Sequence, residues 1–209
     1  GYLPEGIDIG DAVAIDSETM GLRPERDRLC LVQLCTGDDH AHLVWFPDRD
    51  YTAPRLKAVL KDQNITKIFH YARFDVAVFK KYLEVETTPV FCTKIASKLC
   101  RTFTDRHGLK DVCKDLLNVE ISKEKQSSDW GAEDLSDAQL RYAANDVYHL
   151  HRLREEFIKK LKRENRLEIA EACFNFLPHR ADLDLLGWQD TDIFFYFLLG
   201  FTYETCITN

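Results

Sequence analysis

Three short apolar runs follow one another early in the chain, Ala12–Ile15, Leu29–Leu34 and Ala41–Phe46. The turn-rich stretches Gly21–Asp27 and Gly37–Asp39 separate them, so the pattern predicts three strands in series forming an antiparallel meander. Pro54 then opens a helical pattern through Leu60, Thr66–His70 reads as a buried strand, and Phe74, Val78 and Leu83 mark a second helix. Val90–Phe91 makes a last short strand, and from there to Leu177 the pattern is almost wholly helical, interrupted at Gly108 and Gly131. The longest helix is expected to start at an N-cap, Ser136, and to run to about Arg163, with Leu140, Ala143, Val147, Leu150, Phe157 and Leu161 on one stripe. Pro178 is expected to end a further helix through Ile169, Cys173 and Phe176. The predicted fold class is α/β, a mixed sheet with helices stacked after it.

With 209 residues, 45% apolar and 30% charged, the chain has the make-up of one globular domain, which excludes disorder as a global description. Neither an internal repeat nor a flexible linker divides it, so residues 1–192 are expected to form a single domain, followed by an apolar tail at 193–209. The net charge of -7 argues against non-specific coating of long nucleic acid, whose affinity comes from neutralising many phosphates. Seven Cys, an odd number without a C-x-x-C pair, are expected to be reduced and mostly buried. No charged-then-apolar leader is present, and the longest apolar run, Ile193 to Phe201, is about half of the ~20 residues a membrane span needs. The expected location is cytoplasmic, without a membrane partner.

Chemistry concentrates in three places. In Ile15-Asp16-Ser17-Glu18-Thr19 two carboxylates stand two residues apart at a strand end and project to the same face. Their mutual repulsion is offset by a divalent cation with oxygen ligands, or the pair is a solvent-facing strand end, since D-x-E alone is common. Asp75 lies where a strand gives way to a helix, flanked by Phe74 and Val76; on its own it reads first as a capping carboxylate in the first helical turn, favoured by the macrodipole. Tyr142-Ala143-Ala144-Asn145-Asp146 puts phenol and carboxylate one turn apart on one helix face, either as part of a site or as a buried hydrogen-bonded pair.

Taken together and in this order, Asp16, Glu18, Asp75, Tyr142 and Asp146 resemble the DEDD exonuclease superfamily in its tyrosine subclass. The histidine subclass would carry its histidine five residues before Asp146, and that position is Arg141. Gln126-Ser127-Ser128-Asp129-Trp130, then Leu135 and Gln139-Leu140, look like the third exonuclease block of ribonuclease D proteins. Most of the chain, from about Ala12 to Trp188, is similar to the shorter nano-RNase C group. That likeness rests on Thr66-Lys67-Ile68-Phe69-His70, Phe91-Cys92-Thr93-Lys94-Ile95-Ala96-Ser97-Lys98-Leu99, Thr104-Asp105-Arg106-His107-Gly108-Leu109-Lys110 and Leu183-Asp184-Leu185-Leu186-Gly187-Trp188. Ribonuclease D carries additional helical nucleic-acid-binding domains, for which 209 residues are expected to leave no room. Two positions depart from the pattern: Tyr71 stands where many relatives have Asn, and the tail after Asp192 is unlike the group.

The resemblance implies a ribonuclease H-like fold, with a mixed five-stranded sheet, flanking helices and a helical C-terminal part. It implies two divalent ions, Mg2+ or Mn2+, about 3.5–4 Å apart around a scissile phosphate. By that analogy Asp16 bridges both ions, Glu18 and Asp146 complete the site of the ion that binds attacking water, Asp75 supports the other, and Tyr142 orients the nucleophile. Backbone contacts near Thr19, an apolar wedge at Leu22 and the nearby His70 would recognise the strand end, although Met20-Gly21-Leu22 also suits an ordinary tight turn. Lys94, Lys98 and Arg101 share a helix face, with Arg106, Lys110 and Lys114 following at i,i+4 intervals. Such runs are commonly solvated faces; as a group near Arg106 and His107 they are candidates for gripping the 5'-phosphate of a short substrate, in the same subunit or a neighbouring one.

The expected function is metal-dependent 3'-5' hydrolysis of short single-stranded oligoribonucleotides, above all 5'-phosphorylated dinucleotides. The alternatives are a general ribonuclease D-like trimmer of structured RNA or DNA ends, and a non-catalytic nucleic-acid-binding module, against which the intact carboxylate set argues. The resemblance also implies a homo-oligomer, with a ring of eight as the expected form.

Overall fold

The computed structural model describes residues 2–38, 40–122 and 128–195. The expected meander is formed by β1 (Ala12–Thr19), β2 (Leu29–Cys35) and β3 (Ala41–Trp45). Antiparallel pairing sets Asp16 opposite Gln33 and Glu18 opposite Leu31 across β1 and β2, and Gln33 opposite Leu43 across β2 and β3. Helix α1 (Pro54–Lys61), entered through Pro54, carries the chain to β4 (Thr66–Phe69), which lies parallel to β1. Helix α2 (Ala72–Val78), prolonged by a π turn over Phe79–Leu83, leads to β5 (Val90–Cys92), parallel to β4. The sheet order is β3-β2-β1-β4-β5, the mixed five-stranded sheet that was expected. Parallel pairing needs a crossover and buries both faces, which is why central β1 begins with the continuous apolar run Ala12–Ile15 and turns polar only at Asp16.

Five more helices follow: α3 (Thr93–Cys100), α4 (Leu109–Leu117), α5 (Asp137–Tyr148), α6 (Leu150–Arg163) and α7 (Leu167–Leu183), the last ending in a π turn over Asp184–Trp188. Ser136 is the N-cap of α5 as expected, in a reciprocal capping box with Gln139, a device worth about 1 kcal/mol. The single helix expected from Ser136 to Arg163 is instead two. His149, at φ -99° and ψ -5°, leaves the helical ladder between α5 and α6. The apolar stripe stays in phase across the break, through Ala143, Val147, Leu150, Leu153, Phe157 and Leu161, so periodicity did not show it.

Two further expectations are corrected. Pro178 does not end its helix but sits buried inside α7, which runs on to Leu183. The lost backbone bond, about 3 kcal/mol in a helix interior, is offset by the packing of α7 against α2 and by an ion pair just past its end, between Arg73 and Asp184. The stretch between α4 and α5 is not helical among the described residues; its side chains Ile121 and Trp130 are buried. The six described cysteines form no disulfide, and Cys206 lies outside the described residues. Among the described residues, no helix is long and apolar enough to cross a membrane. The tail at 193–209 falls outside the described residues from position 196 onward.

Candidate active site

The C-terminal half of β1 delivers Asp16 and Glu18 to the same side of the strand, and both line a cleft of about 580 Å³. Asp146 reaches it from α5, and one carboxylate oxygen from each of Asp16, Glu18 and Asp146 lies within 4.8 Å of the other two. Asp75, in the first turn of α2, stands behind them, 3% exposed. Ser17 Oγ, from the residue between Asp16 and Glu18, donates to Asp75 Oδ1 at 2.6 Å. A strand and two helices far apart in sequence thus bring four carboxyl groups together.

Crowded acids in a dry site resist ionisation. Burial, then the charges of Asp75, Asp146 and Glu18, hold the Asp16 carboxyl well above its ordinary range. Burial with Asp146 and Asp75 pushes Glu18 up to about 9. Burial, partly countered by the Ser17 hydrogen bond, brings Asp75 up to about 7. An all-oxygen, mutually repelling donor set is the chemistry of a hard divalent cation, so these residues fit such an ion.

Tyr142 lies one turn before Asp146, its phenol beside that carboxylate. Burial first, then the charges of Asp146 and Glu18, move the phenol further above its ordinary pKa, so it remains a proton donor. Trp130 packs against its ring at 6.1 Å between centroids, and Gln139 Nε2 donates to Asp129 O at 3.0 Å. The Asp129-Trp130 part of the expected third block is thereby tied to α5; Gln126 and Ser127 lie outside the described residues.

The loop after β1 presents Leu22, 86% exposed, at the cleft. Asp27 staples this loop, accepting from Arg23 N at 3.0 Å and Arg26 Nε at 2.7 Å. The Asp27 carboxylate occupies the space a Cβ on Gly21 would need, which explains the glycine there. Thr19 is buried, its hydroxyl donating to Gly21 O. Across the cleft His70 Nδ1 lies 2.8 Å from Thr93 Oγ1, whose own proton goes to Phe69 O at 3.0 Å, so the imidazole is the donor in that pair.

The basic residues separate into different roles. Lys94 and Lys110 line the cleft, whereas Lys114 pairs with Glu120 at 2.6 Å. Arg101 is corrected: it is 2% exposed and inward-facing, donating to Ser97 Oγ, Arg106 O and Asp115. Arg106 is exposed and stands outside the cleft lining with His107, whose Nδ1 lies 2.9 Å from Ser97 Oγ.

Gln33 and Ser17 were missed by sequence reasoning. Gln33 is fully buried in β2 and its Nε2 donates to Asp16 Oδ2 at 3.1 Å; its amide also tempers the upward shift of Glu18. A lone amide within Leu29–Cys35, otherwise apolar, was the available signal. Residues that orient metal-binding carboxylates typically contribute 10–100-fold to metal affinity or activity. Gln33→Leu and Ser17→Ala are therefore expected to raise the half-saturating Mn2+ concentration by about tenfold or more, read by titrating cleavage rate against metal.

A 3'-5' exonuclease family model matches residues 4–162. Ribonuclease D of Gluconacetobacter diazotrophicus is 34% identical over 156 residues, which cover 75% of this chain and 39% of that protein. The chain therefore spans about two fifths of the length of such curated relatives. The structure of Brucella melitensis NrnC bound to pGG superposes with a TM-score of 0.90 at 55% identity, covering 94% of this chain and 96% of that one. The same protein with bound Mg2+ gives 0.89 at 53% identity, with the same coverage. Escherichia coli RNase D, an exoribonuclease involved in structured RNA processing, gives 0.72 at 26% identity, covering 82% and 45%. These likenesses, with the carboxylates and Tyr142 around one cleft, show that the chain belongs to the 3'-5' exonuclease family.

Proposed function

We propose that this protein is a metal-dependent 3'-5' exoribonuclease of short oligoribonucleotides, with 5'-phosphorylated dinucleotides as preferred substrates. The observation that carries the reading is the convergence of Asp16, Glu18 and Asp146, backed by Asp75, with Tyr142 on a cleft whose rim is an exposed leucine. The Brucella melitensis relative bound to pGG supports the substrate class.

Asp16, Glu18, Asp75 and Asp146 would hold two divalent ions, Mg2+ or Mn2+. Bound there, such ions would supply a lowered pKa for water and charge stabilisation for the reacting oxygens. The chain's own groups do the rest. Tyr142 keeps its proton and orients the attacking water by hydrogen bonding, with Asp146 fixing the phenol. Gln33 and Ser17 hold the carboxylates in register. Leu22 packs against the terminal bases, and Lys94 and Lys110 meet phosphate from the cleft wall. Arg106 and His107, outside the lining, would meet a 5'-phosphate as part of a homo-oligomer, with eight copies as the expected form. Its apolar contact surface would include Ile169, Leu186 and Phe194, all more than half exposed.

Leu22→Ala is expected to raise KM for a dinucleotide by about tenfold, the scale of one buried leucine, while kcat changes far less. The direction of attack is tested with 5'-labelled RNA: a ladder shortening from the 3' end with release of 5'-mononucleotides supports the reading, and internal cuts or 5' release overturn it.

A further inference from the structure

Trp130, whose ring packs on Tyr142, is not anchored by its own polar atom. It is buried with Cys30, Leu31 and Ala143, yet its indole N–H has no hydrogen-bond partner among the described residues, although a buried tryptophan usually finds one. The backbone carbonyls on either side of it are held instead. Gln139 of α5 donates to Asp129 O at 3.0 Å. Arg28, the residue before β2, donates through Nη2 to Gly131 O at 3.3 Å and through Nη1 to Phe46 O at 3.1 Å. The contact at Gly131 is close: a Cβ there would lie 2.3 Å from Met20 Sδ and 3.0 Å from Arg28 Nη2, so glycine is what lets these two side chains close over the backbone. Trp130 and Tyr142 line the cleft, whereas Arg28 and Gly131 do not. The guanidinium therefore reaches the chemistry only through the indole and the phenol, whose centroids are 6.1 Å apart. Close packing leaves little slack for one ring to shift without the other.

We infer that Arg28 is a positioning residue for Tyr142: by fixing Gly131 O it holds the Trp130 indole, and the indole holds the phenol where its hydroxyl meets the attacking water. Arginine suits this place because one planar fork serves two carbonyls from different segments, Phe46 O and Gly131 O. This inference rests on the exoribonuclease reading proposed above, in which Tyr142 orients the nucleophile.

The test measures kcat, KM and the half-saturating Mn2+ concentration on a 5'-phosphorylated dinucleotide for Arg28→Met and Gly131→Ala, each alone and combined with Tyr142→Phe. Gly131 lies outside the positive-φ region, and the atoms an alanine there would displace are the flexible ends of Met20 and Arg28. Gly131→Ala therefore disturbs the same contact from its other side in a chain that still folds, and it decides alone should Arg28→Met not fold. Each variant is expected to lower kcat by about tenfold, part of the ~100-fold that a ~1 Å misplacement costs, with KM and the half-saturating Mn2+ concentration unchanged. Combined with Tyr142→Phe, the same substitutions should change kcat by less than about twofold, because the hydroxyl they misplace is already gone. A merely structural role would lower kcat by the same factor with and without Tyr142→Phe. That additivity, a raised half-saturating Mn2+ concentration, or wild-type kcat in either folded variant overturns the positioning role while the exoribonuclease reading stands. Tyr142→Phe protein as fast as wild type overturns it as well, and a wild type without Mn2+-dependent cleavage removes both.

Discussion

Asp16→Asn protein is expected to lose metal-dependent cleavage by roughly 10³-fold and, in EDTA, to melt at a higher temperature than wild type. Charge stabilisation by a catalytic metal is worth several kcal/mol, and each ~1.4 kcal/mol is tenfold in rate. Asp16 is also the carboxyl most surrounded by others, raised by burial and by Asp75, Asp146 and Glu18. Without metal, its ionised form costs the fold both desolvation and repulsion, and an amide removes both while still accepting from Gln33. Relief of about 1 kcal/mol moves the melting temperature of a chain this size by about 2–4 °C. Metal should reverse the order, because binding to the native state adds stability with ligand concentration and the loss of the Asp16 charge weakens that binding. Thermal melts in EDTA and in Mn2+ check this directly. A lower melting temperature for Asp16→Asn in EDTA would mean that the carboxylate cluster is a structural network and not an ion site.

Tyr142→Phe should lower kcat by about 10²-fold, the scale of a positioned proton-bearing group, with little change in KM. The phenol lies beside Asp146 with its ring against Trp130, so replacement by phenylalanine leaves the cleft's shape intact and takes away one hydroxyl. Because burial and the neighbouring charges keep that hydroxyl protonated, the pH–rate profile of the variant should keep the wild-type shape at lower amplitude. A lost alkaline limb would show instead that Tyr142 itself titrates during turnover. An increase in KM with kcat unchanged would place it in substrate binding.

The parts of this molecule that were legible in the sequence are those governed by local period. The two-residue repeat in β1 put Asp16 and Glu18 on one face, and the i,i+4 spacing put Tyr142 beside Asp146. Ser136 could be read as a cap because the capping box is written within four residues. Long-range geometry was not legible. Gln33 reaches Asp16 only through the antiparallel register of β1 and β2. Arg101 looked like one more cation on a helix face until Asp115 and the Arg106 carbonyl were seen to take its guanidinium. His149 breaks a helix whose apolar stripe continues unbroken, and Pro178 stays inside one because tertiary packing outweighs a local penalty. Arg106 and His107 earned their place from resemblance and spacing, yet the cleft lining is supplied by Lys94 and Lys110.

On the proposed function, these carboxylates serve a metal-dependent exonuclease tuned to very short RNA. The most direct test is turnover of 5'-phosphorylated RNA of two, three, five and seven nucleotides with Mg2+ or Mn2+, beside Asp16→Ala protein. The expected result is a steep preference for the dinucleotide that disappears with the substitution. Equal rates at every length would point instead to a general trimmer of RNA ends, and no metal-dependent cleavage at any length would contradict the enzyme reading and leave a binding module.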